Sequence, residues 1–124
     1  MARVRAVLGL IASLIMILSS AMHSFLGWSW LRGQLAAARV PPDLTFGLKV
    51  GWQFGGVAML AFGLILLALF VKRLRGESVS SLAAVVVGVA YLGFGAWALF
   101  ASGFDPFFFT FIIPGVLLLM ASPS

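Results

Sequence analysis

The sequence predicts an all-α fold, a polytopic membrane protein built as a four-transmembrane-helix bundle with both termini on the cytoplasmic side (N-in/C-in). Three observations lead there. Of 124 residues, 63% are hydrophobic and only 9% charged. The mean hydropathy is +1.18. The charges fall in short clusters that separate four long uncharged runs. A water-soluble chain of this length has too little interior to hide so much apolar surface, whereas a bilayer supplies an apolar solvent from outside. The whole chain, 1–124, therefore reads as a single membrane domain.

Each span follows from the distance between charges, because crossing roughly 30 Å of hydrocarbon takes about 20 helical residues at about 1.5 Å each. The first span is expected over about 4–26, in the apolar run between Arg5 and Arg32, with its core ending near His23. Trp28 and Trp30 then fall at the headgroup level that indole rings prefer. A cleaved signal peptide is the competing reading, since Arg3 and Arg5 precede the run and Ser19-Ser20-Ala21 offers small residues, but the run is longer than a usual signal core. An outer loop at 32–45 follows. Its alanine-rich part, Arg32 to Val40, suits a short helix lying on the membrane surface and stopped by Pro41-Pro42.

The second span is expected over 46–71, with Asp43 or Thr45 as its N-cap and Trp52 at the same interface as Trp28 and Trp30. Lys72 to Glu77 makes a tight charged turn, the cytoplasmic turn 72–78. The third span covers 79–102, capped by Ser78, Ser80 or Ser81 and terminated by Gly103. Asp105 followed by Pro106 reads as an N-cap with proline at the first helical position, which opens the fourth span at 106–121. That span is short and interrupted by Pro114-Gly115, so a re-entrant segment competes with a full crossing.

Orientation follows from the basic residues beside the spans. Arg3, Arg5, Lys72, Arg73 and Arg75 lie on one side, against Arg32, Arg39 and Lys49 on the other, which places the first set in the cytoplasm.

Helices in lipid associate by close approach at small residues, since the surrounding acyl chains are as apolar as leucine. The first span carries Gly9, Ser13, Met16, Ser20 and Gly27; the second carries Gly47, Gly51, Gly55, Met59 and Gly63; the third carries Ser81, Ala84, Gly88, Tyr91, Gly95, Ala98 and Ser102. These stripes predict one bundle packed mainly within the chain. Gly56, Gly93 and Gly103 fall off the stripes and leave room for a second copy or a larger membrane complex. The Tyr91 phenol is expected to bond a nearby backbone group or a serine such as Ser13.

Topology brings His23, Ser24, Arg32, Lys49, Gln53 and Asp105 to one outward rim, the candidate polar site. The bland alternative is that these are ordinary interface residues bonding water, headgroups and helix ends. Several chemistries are disfavoured. With no cysteine, thiolate nucleophiles, disulfides and cysteine-held metals are excluded. A Ser24-His23-Asp105 hydrolase fails because adjacent helical positions point about 100° apart. A single histidine cannot hold haem from both sides within one chain; two copies sharing it across an interface, or Met16 or Met22 as second ligand, are the alternatives, and Met22 is adjacent and points elsewhere. No Asp or Glu lies in a span core, so the proton-exchanging acid of the small multidrug resistance transporters has no counterpart. The net charge of +5 is flanking charge with no basic stripe, which argues against nucleic acid. No metal, cofactor or catalytic residue is assigned, and membrane lipid is the expected surroundings.

His23-Ser24-Phe25-Leu26-Gly27 after the first span, with Trp52-Gln53 early in the second, resembles a group of small bacterial membrane proteins with an H-S-x-L-G stretch and a W-H segment. The likeness covers about the first half of the chain. Gln53 stands where that pattern has its second histidine, and Trp28 where an acidic residue often follows the glycine, so a metal or haem role does not carry over. The resemblance implies a bacterial inner-membrane location and no activity. The expected role is a non-enzymatic accessory or scaffold subunit; the alternative is a small transporter or a protein that binds lipid or a small molecule at the His23 and Gln53 rim, with an enzyme third.

Overall fold

A backbone surrounded by apolar material must satisfy its own N–H and C=O groups, and helices do so segment by segment. The computed structural model describes residues 1–123, and these are helical with no strand among them. Helix α1 spans Ala2–Met22, a π-helical turn His23–Gly27 follows, and α2 spans Trp28–Ala37. Then come α3 Pro42–Leu74, α4 Leu82–Ala101, a 3-10 turn Pro106–Phe108 and α5 Phe109–Ala121. Three helical stretches are long and apolar enough to cross a membrane: Ala2–Ala37, Pro42–Leu74 and Leu82–Ala101. Pro106–Ala121 is apolar but shorter.

The expected outer loop at 32–45 is largely helix instead. Helix α2 does not lie apart as a surface helix; it prolongs α1 into one stretch of 36 residues. Nothing between Gly27 and Ala38 breaks a helix, because a single glycine costs only about 1 kcal/mol and the alanines favour the state. The loop shrinks to a turn in which Val40 N–H bonds Leu35 O at 3.0 Å and Arg39 N–H bonds Ala36 O at 3.1 Å. This six-to-one closure needs a left-handed residue, here Arg39 at φ 55°. Gly103 at φ +74° closes α4 in the same way, as the sequence suggested.

The helix starts are local. Pro41 takes the cap position of α3 and Pro42 its first turn, so the expected caps Asp43 and Thr45 both fall inside the helix. Proline with its preset φ begins a helix one residue before Asp43 can act. Ser80 Oγ accepts from Leu82 N–H at 3.2 Å to start α4. Asp105 Oδ1 accepts from Phe107 N–H at 2.9 Å, as its sequence position predicted.

Packing follows the small residues. On α1 the buried positions Ala6, Gly9, Ser13, Met16 and Ser20 repeat at steps of three and four, the seam of a left-handed pair. On α3 the buried positions are Gly56, Gly63, Leu66 and Phe70; the Phe70 ring lies over Gly9, and Gly63 packs against Ile17 and the Ser13 carbonyl. On α4, Ala84, Gly88, Tyr91, Gly95 and Ala98 are buried; Gly88 faces Leu118 and Leu119, and Gly95 faces Phe111 and Ile112. Gly115 brings α5 onto the backbone of Leu92, where no larger residue fits. Helix α1 sits between α3 and α5, α4 packs on α5, and α3 touches α4 only slightly. One core joins all four: Ala12, Met16, Leu66, Phe70, Ala84, Tyr91, Leu118 and Ala121.

Two expectations about this packing are corrected. A Cβ at Gly47 or Gly51 would meet nothing within 4 Å, so the upper part of that stripe is bare. A four-residue ladder drifts about 40° per step on a helix of 3.6 residues per turn, so it leaves the interface that Gly55 and Gly56 occupy. Tyr91 is buried as expected, but its hydroxyl has no partner among the described residues, and Ser13 Oγ donates at 2.7 Å to Gly9 O within its own helix.

Candidate functional site

The polar cluster forms where the first helix changes its winding. In a π-helical turn the chain is wider and backbone bonds run to the fifth residue, as Trp28 N–H to His23 O does here. The widened turn leaves its carbonyls open to donors from a neighbouring helix. Trp52 Nε1–H donates to His23 O at 2.8 Å, and Gln53 Nε2–H donates to Ser24 O at 2.9 Å. In return His23 Nε2 lies 2.9 Å from Trp52 O. A carbonyl can only accept, so Nε2 carries the hydrogen and donates. The His23 and Trp52 rings stack with centroids 4.4 Å apart and planes 5° from parallel.

Glycines make this approach feasible. A Cβ at Gly56 would strike Ser24 Oγ, one at Gly55 would come within 3.3 Å of His23 Nε2, and one at Gly27 within 3.1 Å of the Trp52 ring. The cluster is thus a clasp between the turn after α1 and the first half of α3.

Of the six rim residues expected from the sequence, the structure brings His23, Ser24 and Gln53 together. Arg32, Lys49 and Asp105 are exposed and take no part in these bonds. The Asp105 carboxylate serves its own hairpin through Phe107 N–H. Trp52 and Gly56 are members that the sequence did not mark: Trp52 read as an interface residue and Gly56 fell off the glycine ladder. The adjacent pairs His23-Ser24 and Trp52-Gln53 were the available signal.

Chemically the clasp is mostly satisfied. The His23, Trp52 and Gln53 N–H groups that face the partner helix are all bonded to backbone carbonyls. The Ser24 hydroxyl is not bonded to His23, so the pair makes no nucleophile and base. Among the described residues no three His, Cys, Asp or Glu side chains are grouped to hold a metal ion. Two surface grooves, of about 420 Å³ and 190 Å³, are lined by other residues, none of them from the clasp.

A second polar junction lies at the opposite end, at a residue the sequence had marked only as topogenic charge. Arg73 Nη1 donates to Ala121 O at 2.8 Å, and Nη2 donates to Ser122 O at 3.2 Å and Ser81 Oγ at 3.0 Å. A guanidinium at the last carbonyls of a helix both completes their bonding and opposes the negative end of the dipole. Its Cζ lies 5.4 Å from the Phe70 ring centre. One side chain therefore ties the end of α3 to the start of α4 and the end of α5.

By architecture the chain is an all-helical bundle with three helices of membrane-crossing length and a fourth, shorter apolar one. No protein-family profile, curated protein or solved structure matches it.

Proposed function

We propose that this is a multi-pass protein of the bacterial inner membrane, with both termini cytoplasmic, that acts as a non-enzymatic accessory or scaffold subunit of a larger membrane complex. The basic residues support the orientation, and the H-S-x-L-G resemblance supports the location. The observation that carries the role is the length of the hairpin made by α2 and the first part of α3. The Ala2–Ala37 stretch of 36 residues is about 54 Å long. Even tilted by about 40° it outlasts roughly 30 Å of hydrocarbon. The excess length keeps apolar side chains uncovered, among them Leu44 at 58% exposure and Phe46 at 66%. Apolar surface that leaves the lipid needs a protein cover.

The bare Gly47 and Gly51 positions offer that cover a close seat for a partner's helix. Arg32, Arg39 and Lys49 outnumber Asp43 on this hairpin, so two copies meeting there would repel, whereas a partner with acidic residues at the same level would be attracted. A transporter or ligand-binding role at the rim is the weaker reading, because stacked rings and reciprocal bonds fill the gap that a ligand would enter.

The test is site-specific photocrosslinking in native membranes from Gly51 and, as control, from Ala90 on α4. The expected result is one heterologous membrane protein, acidic at its outer segments, captured from Gly51 alone and lost when Gly47 is replaced by Leu. A self-adduct, or capture equal from both positions, overturns the proposal.

A further inference from the structure

The slight contact between α3 and α4 leaves an open groove of about 420 Å³. Its walls are Ile65 and Ala68 of α3 and Leu82 and Ala83 of α4, and Lys72 and Ser80 line it where the two helices are joined. The groove is open along the surface and its walls hold almost no polar group, which suits a hydrocarbon chain. The joined end is different. Lys72 is exposed and Arg75 lies in the same turn, with Glu77 the one acid beside them. Helix α4 opens there with no acidic residue in its first turn, so its dipole adds positive potential.

We infer that this groove is a binding site for a phospholipid with an anionic headgroup, one acyl chain lying between α3 and α4 and the phosphate held by Lys72 and Ser80. Charge complementarity selects this occupant: a neutral helix would gain nothing from Lys72 and Arg75, and a second copy would bring the same basic turn against itself. Basic pockets between helices at a cytoplasmic surface hold acidic headgroups on the same grounds. The inference rests on the membrane reading above and goes beyond it.

The test uses the full chain reconstituted in vesicles of equal phosphatidylglycerol and phosphatidylcholine. Vesicle flotation reports insertion by itself, so a failure there sinks the membrane reading and the lipid site with it. Native mass spectrometry of the gently extracted protein then reports the retained lipid. Phosphatidylglycerol is expected to be retained over phosphatidylcholine by about fivefold. Lys72→Gln, an exposed change, should bring that ratio close to one. Ala83→Phe, which fills the groove and keeps every charge, should do the same with unchanged helicity by circular dichroism. Equal retention by the unmodified protein overturns the site, and so does an Ala83→Phe protein that keeps its preference, since surface charge alone would then explain it. Recovery of a bound polypeptide in the groove in place of lipid overturns it as well.

Discussion

Trp52 and His23 hold each other twice over: their rings stack at 4.4 Å, and each side chain donates a hydrogen bond to the other's backbone carbonyl, at 2.8 Å and 2.9 Å. The stack holds the two rings at the distance at which both donors reach a carbonyl.

This reciprocity makes the two residues energetically dependent. His23→Ala and Trp52→Phe are each expected to destabilise the protein by about 1–2 kcal/mol, and the double variant by clearly less than the sum. Thermal unfolding in a mild detergent measures the cycle. Strict additivity of the two losses would show that the rings merely lie side by side.

The glycines of α3 separate into those that are packed and those that are bare. Gly56→Ala and Gly63→Ala force a methyl group against Ser24 and Ile17, at an expected cost of about 1–3 kcal/mol. Gly47→Ala and Gly51→Ala meet nothing and should hold or raise stability by up to about 1 kcal/mol through helix propensity. Unfolding of the four variants in detergent, side by side, ranks them; a loss at Gly51 as large as that at Gly63 contradicts the packing.

Arg73 joins three helices through bonds that only a planar fork can make together. Arg73→Lys keeps the charge but is expected to lose most of the stabilisation, with Arg73→Ala costing about 2–3 kcal/mol. Protease cleavage near Ala121 should speed up in both variants. Full protection in the lysine variant would mean that charge alone holds the end of α5.

Arg39 closes the hairpin at φ 55°, a conformation that burdens a side chain and suits glycine. Arg39→Gly should therefore raise stability by about 0.5–1 kcal/mol, read as a higher melting temperature. A lower one would show that the arginine side chain contributes contacts of its own.

The orientation can be read directly, because the chain has no native cysteine. A single cysteine at Gln34 should react with a membrane-impermeant thiol reagent in intact spheroplasts, and one at Ser78 only after lysis. The opposite pattern reverses the assignment of sides.

What could be read from the residues was local or repeated. Asp105 caps its turn and Gly103 ends its helix because both act within a few residues. The stripes of α1 and α4 were legible because they keep the three-and-four step through several turns. The face of α3 was legible only at Gly55 and Gly63: a helix bathed in apolar solvent is apolar all round, so nothing distinguishes Gly56 and Phe70 from the bare Gly47 and Gly51 until a partner is placed. His23, Ser24 and Gln53 could be assigned to one level of the bundle, but their bonds to Trp52 and across the π-helical turn depend on a winding that no short motif announces. Arg73 was missed for a related reason, since two of its three acceptors lie 48 and 49 residues away.

The π-helical turn at His23–Gly27 amounts to an α-helix with one residue inserted. That surplus residue resets the rotational phase of everything after it by about 100°. Trp28 is consequently turned inward, 7% exposed, while Trp30, two positions on, is turned outward. Which indole the hairpin shows to its surroundings is thus decided upstream by chain count: the turn takes up the surplus residue, so Trp28 sits where an unbroken α-helix would have put the residue before it.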